Sequence, residues 1–233
     1  MNNREFDAGL IDAVVFDVIG TLVDEDGTWA DVAQKLAAEA DVVRPAVLHA
    51  RWAQFLNERM DGVTKGDAPW QRHGDLVIES ADAAIRVLGG SPTAATTALV
   101  STLDSEYPAW PEVATATADL RRSRLVAGVS NGDLDSLARL ANVNTISWDV
   151  VLSTGTAQTF KPAPAAYEFA IETLRITPER TLFVAAHPWD LRAATEHGFR
   201  TAYVARPDAE RPSREDHFDI SVGDLAELAE LLT

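Results

Sequence analysis

Five short apolar runs punctuate this chain, at residues 11–17, 124–129, 148–153, 181–186 and 200–204. Helical patterns separate the later runs, around 132–141, 162–175 and 189–197. Short apolar strands alternating with helices predict an α/β fold, a Rossmann-like parallel sheet with helices on both faces. In such sheets the active site lies beyond the carboxyl ends of the strands. Asp17, Ser130, Lys161 and the stretch Ala186–Asp190 all fall at or just past those ends. The topology alone therefore predicts that they share one site.

The alternation breaks after the first run. Residues 29–40, 45–60, 69–88 and 92–104 read as helices. Arg44-Pro45 and Ser91-Pro92 mark helix starts, with proline at an early helical position, and Gly89-Gly90 marks an end. The expectation is a helical cap spanning 25–105, inserted after the first strand, over a core built from 1–24 and 106–233. Residues 205–216 read as an exposed loop and 222–232 as a closing helix.

Composition removes several functions. The 233 residues are 46% hydrophobic, enough for a substantial core. A formal charge of -16 repels phosphate backbones and anionic membranes, so neither nucleic acid nor membrane is expected as a partner. An anionic substrate then needs a local cationic site. With no cysteine, thiol catalysis and disulfides are excluded. The opening residues, Met1 to Phe6, hold no apolar signal core, and no run reaches the length of a membrane span, so a cytoplasmic location is expected.

The chemistry-bearing positions follow. The run ending Val-Val-Phe-Asp-Val-Ile-Gly-Thr delivers Asp17 to a turn at Gly20-Thr21. A carboxylate there can attack carbon or phosphorus and form an ester or acyl phosphate that water then hydrolyses. It can equally cap the turn. The Thr21 hydroxyl has two compatible roles, on that carboxylate or on the turn backbone. Ile19, two residues after Asp17, cannot carry a proton. Ser130 and Asn131 follow the second strand, where amides at a helix start hold anions. Lys161 precedes a helix entered through Pro162 and can pair with Asp17. Tyr167 sits six residues on. Asp190 stands in the first turn of the next helix, with His187 and Trp189 before it.

These four stretches, in this order, resemble the haloacid dehalogenase superfamily, and within it the L-2-haloacid dehalogenase branch. The phosphatases of that superfamily carry an acid at the position of Ile19 and a second metal-ligating acid near Ala186. Both are absent here, which argues against phosphoryl transfer and for a leaving group that needs no proton. The resemblance implies a dehalogenase requiring no metal or organic cofactor and acting on a small anionic 2-haloacid. Asp17 would be its nucleophile, with Thr21, Ser130, Lys161 and Asp190 around it. A halide-binding arginine on an early cap helix would be Arg51, with Arg44 and Arg59 as alternatives. Ile19, Trp52, Phe55 and Trp189 would form an apolar wall, with Asn131, Tyr167 and His187 also lining the substrate. A homodimer is a further expectation from the family. Two other readings stand beside this one. A non-halide leaving group on a 2-substituted carboxylate would keep the ester chemistry. A turnover-deficient binding protein would explain Ala185 and Ala186.

Overall fold

The computed structural model describes residues 6–207 and 209–232. Residues 1–5, on which most of the leader reading rests, lie outside them. Six parallel strands form one sheet: β1 (Ala13–Phe16), β2 (Leu125–Ser130), β3 (Val150–Ser153), β4 (Thr181–Ala185), β5 (Arg200–Val204) and β6 (Ile220–Val222). Their order is β3-β2-β1-β4-β5-β6, so β1 is central. Ala13 pairs with both Leu125 and Thr181, and Phe16 with Gly128 and Val184. The strand order reverses between β2 and β4, beside β1, and such a switch point leaves a crevice at the strand ends.

The pleat sends alternate residues to opposite faces. Val14 and Phe16 join a core shared with α5 (Val113–Leu120), α6 (Leu134–Asn144) and α9 (Leu225–Leu232). Val15 points the other way, into a core shared with α7 (Pro164–Leu174) and α8 (Pro188–Glu196). All four side chains of β1 are buried, as a strand covered on both faces requires. β6 was not expected from the sequence. It is only three residues long, with Ile220 and Val222 inward and Ser221 exposed.

Between β1 and β2 lie α1 (Glu25–Glu39), α2 (Pro45–Thr64), α3 (His73–Val87) and α4 (Ala94–Ser101). Local signals set their starts. Asp24 caps α1 by accepting the Gly27 amide, Pro45 opens α2, and Thr93 with Thr96 forms a reciprocal capping box on α4. α1 and α2 lock through Trp29 and Trp52, whose rings stack at 4.0 Å. The Trp52 indole N–H donates to the Val77 carbonyl of α3 at 2.9 Å. Trp52 is thus a packing residue at the centre of the helical layer. Removing it leaves a large void, so Trp52→Ala is expected to destabilise the fold by about 3–5 kcal/mol in chemical denaturation.

Candidate active site

Asp17 directly follows β1, and its amide donates to the Val184 carbonyl at 2.9 Å, tying it to the end of β4. Its carboxylate is held at both oxygens. The Thr21 hydroxyl donates to Oδ2 at 2.6 Å, and the Lys161 ammonium donates to Oδ1 at 2.8 Å. Thr21 Oγ1 also accepts the Ala186 amide at 2.9 Å, so it fastens the loop after β4 to the same turn.

Lys161 lies between two carboxylates. Besides Asp17, its ammonium donates to Asp190 Oδ2 at 2.5 Å, while the Tyr167 hydroxyl donates to Asp190 Oδ1 at 2.5 Å. All four groups are buried. Burial alone would lower the Lys161 pKa, but the charges of Asp17 and Asp190 outweigh it and raise it, keeping the ammonium charged. Burial pushes Asp190 up, opposed by Lys161. Asn131 clasps the Lys161 backbone: its Oδ1 accepts the Lys161 amide at 2.7 Å and its Nδ2 donates to the Lys161 carbonyl at 3.2 Å. Thr154, just beyond β3, donates to the same Oδ1 at 3.0 Å. Residues that follow β1, β2, β3 and β4 thus converge around Lys161, those after β1 and β4 on its ammonium and those after β2 and β3 on its backbone.

A cavity of about 290 Å³ opens over this cluster. From the sheet side it is lined by Asp17, Ile19, Ser130, Asn131, Lys161, His187 and Trp189. From the helical layer come Glu25, Trp29, His49, Leu56, Met60 and His73, among others. His187 stacks on Trp189, and its Nε2 stands 3.3 Å from the Ile19 carbonyl and 3.7 Å from Asp17 Oδ2.

Four expected site residues stand elsewhere. Arg51 is exposed on α2 and donates to Gln54 at 2.8 Å, because the helix turns its Leu48–Trp52–Leu56 stripe inward. Trp52 is sealed behind Trp29, as described above. Phe55 lines a separate surface groove with Arg59 and Glu79. Tyr167 is fully buried beneath Asp190 and holds that carboxylate instead of lining the cavity. The two alternatives to Arg51 fare no better: Arg44 is exposed before α2, and Arg59 pairs with Glu79. Among the described residues, no arginine lines the cavity.

The structure adds residues the sequence reading passed over. His73 opens α3, and its Nδ1 lies 2.6 Å from Asp104 Oδ2. The Tyr107 hydroxyl donates to Asp104 Oδ1 at 3.0 Å, and the Trp29 indole N–H donates to the Tyr107 hydroxyl at 2.7 Å. Burial opposes charge on both members of the His–Asp pair. Their mutual attraction overcomes it, raising His73 and lowering Asp104. Glu25 begins α1, with its carboxyl pushed up to about 7, chiefly by burial and against the pull of His187 and His73.

The donor set does not suit a divalent ion clamped on Asp17. Such an ion needs open oxygen ligands. Both oxygens of Asp17 and both of Asp190 already accept from Lys161, Thr21 or Tyr167, and the Ala186 side chain offers no oxygen. Among the described residues, no group of three or more His, Asp or Glu side chains is arranged to hold a metal.

A buried strand-end carboxylate, clamped by an ammonium beyond the end of a doubly covered parallel sheet, suits a hydrolase of α/β fold. The chain belongs to the haloacid dehalogenase-like hydrolases, whose sequence profile matches residues 11–198. It is 31% identical over 216 residues to an (S)-2-haloacid dehalogenase of Xanthobacter autotrophicus, covering 88% of this chain and 79% of that protein. It is 26% identical to (S)-2-haloacid dehalogenase 4A of Burkholderia cepacia, covering 83% of each. Among solved structures, the L-2-haloacid dehalogenase PA0810 superposes with a TM-score of 0.84 at 30% identity, covering 95% of this chain and 98% of that one.

Two outcomes follow from this geometry. Lys161→Met leaves two buried carboxylates without their cation, and denaturant titration is expected to show a loss of roughly 3–5 kcal/mol. Arg51→Ala removes only a surface contact, so its turnover is expected to stay within about twofold of wild type and its stability within about 0.5 kcal/mol.

Proposed function

We propose that the protein hydrolyses short 2-haloalkanoic acids to 2-hydroxy acids through an ester on Asp17. The observation that carries this reading is the Asp17 carboxylate itself, held by Lys161 and Thr21 at the floor of a cavity walled on one side by Ile19. A side chain without a proton beside the nucleophile suits a departing halide. The dehalogenases that this chain resembles over most of its length support the same substrate class.

In the first step one Asp17 oxygen attacks C2 from the face opposite the halogen. The carbon–halogen bond breaks, its electron pair leaves with the halide, and C2 inverts. The halide departs toward the helical layer. Ser130, Asn131 and the neighbouring amides hold the substrate carboxylate. In the second step water attacks the Asp17 carbonyl carbon and the 2-hydroxy acid is released. Negative charge then builds on the remaining carbonyl oxygen. Donors already fixed on the carboxylate, Thr21 at 2.6 Å and Lys161 at 2.8 Å, stabilise that charge without rearranging.

Helices α1–α4 act as the cap over this site in the same reading, and the enzyme works in the cytoplasm as a homodimer. Among the described residues no helix is long and apolar enough to cross a membrane.

Halide release from 2-chloropropionate tests the assignment. Wild type is expected to turn over, and Asp17→Asn to lose at least about a thousandfold in kcat. In ¹⁸O-water, label is expected to enter Asp17 over repeated turnovers. Unimpaired turnover by the Asp17 variant, or an unlabelled Asp17 after many turnovers, overturns the proposal.

A further inference from the structure

The ester chemistry above leaves two carboxyls of the cavity without a task, Asp26, which stands 3.7 Å from His49, and Glu25. The Glu25 carboxyl makes no hydrogen bond or ion pair with any other described residue. It lies beside the turn that carries the nucleophile. A Cβ placed on Gly20 would stand 3.4 Å from Glu25 Oε2 and 2.6 Å from His187 Nε2. That residue has φ +80°, so glycine there meets a backbone demand and leaves room for both groups. The charged and titratable groups around Glu25 come from four directions. Asp17 belongs to the nucleophile turn, His187 to the loop after β4, His49, Asp26 and His73 with its partner Asp104 to the helical layer, and Arg206, with Glu210, to the segment after β5, where they share a second pocket with Glu25.

We propose that Glu25 is the proton carrier of this site. Its carboxyl donates a proton to a departing fluoride while the Asp17 ester forms, whereas the heavier halides leave without one. Its carboxylate then recovers a proton from the water that attacks that ester. The balance closes over the fluoride cycle. The bond from C2 to fluorine breaks, and fluorine departs with its electron pair and the Glu25 proton as HF. Water gives hydroxide to the Asp17 carbonyl carbon and its proton to Glu25. The product alkoxide leaves with a proton from Glu25, and the Asp17 carboxyl returns its own to Glu25. Asp17 ends ionised and Glu25 protonated.

This inference rests on the ester mechanism proposed above and deepens it by naming a substrate class. Leaving groups that are poor without a proton become accessible, and among halides fluoride is the most basic. The site is thereby fitted to 2-fluoroalkanoates as well as to the heavier halides. A carboxyl pushed up to about 7 populates both forms near neutrality, as a group that gives and takes a proton must. The donor form predominates below that pH and is lost above it.

The test crosses leaving group with Glu25→Gln, which preserves size and removes the proton. First-turnover release is measured from 2-fluoropropionate and 2-bromopropionate. Wild type is expected to release both ions, with fluoride release falling as pH rises through about 7 and the bromide burst flat. In the variant, fluoride release is expected to drop by about a hundredfold, whereas bromide release stays within about threefold. A variant that slows both first turnovers equally, or neither, overturns the role of Glu25. Wild type that releases bromide but no fluoride also overturns it, and leaves the ester mechanism standing. Wild type that releases neither ion removes both proposals. The wild-type pH profile supplies a reading that needs no variant: fluoride release unchanged across neutrality contradicts the donor role.

Discussion

One ammonium between two buried carboxylates sets the terms for the rest of this site. Without Lys161, Asp17 and Asp190 would face each other as buried anions with no cation between them, and their repulsion would go uncompensated. The cation is itself fixed from the backbone outward, because Asn131 holds the main chain of Lys161 and Thr154 steadies Asn131. Tyr167 completes the arrangement from below by donating to the remaining oxygen of Asp190. The chain's overall negative charge gives no help here, so the local cation must be built in by contacts of this kind.

Much of the sheet was legible from sequence because its strands are covered on both faces and read as continuous apolar runs. The strand-end logic also placed Asp17, Ser130, Lys161 and the residues before Asp190 in one region, and the structure brings them around one cavity. β6 escaped because three residues with a single exposed serine carry too little pattern to distinguish a strand from a loop. Arg51 and Phe55 were misplaced for a different reason. A helix turns by roughly 100° per residue, so a motif match that is loose by one or two positions loses the face entirely. On α2 the inward stripe of Leu48, Trp52 and Leu56 fixes the phase, and His49, Ala53 and Met60 lie beside it over the cavity. Arg51 falls roughly half a turn from Met60 by the same arithmetic.

The cavity's titratable lining was less legible still. Glu25 reads locally as an ordinary first-turn acid, favoured there by the helix dipole. His73 carries no motif at all. Both matter because α1 and α3 fold over the ends of the strands, where the loops after β2, β3 and β4, far away in sequence, meet the nucleophile turn. The cap side of the pocket inferred from sequence was Trp52 and Phe55 with a single arginine, facing a sheet side that already held His187 and Asn131. The folded cap side has two imidazoles, His49 and His73, and two carboxyls, Glu25 and Asp26, in that space.

The chain Trp29–Tyr107–Asp104–His73 joins α1, α3 and the turn between them and β2 by side-chain hydrogen bonds alone. Its central ion pair makes the cavity wall an acidity-bounded strut. His73, raised in the fold, adds stability that is full below its ordinary value near 6.5 and fades as pH rises through the folded one. Asp104, lowered in the fold, adds stability that is full above its ordinary value near 3.8 and fades as pH falls through the folded one. The brace is tightest in mildly acidic solution, and alkaline conditions loosen the roof of the cavity before they touch its floor.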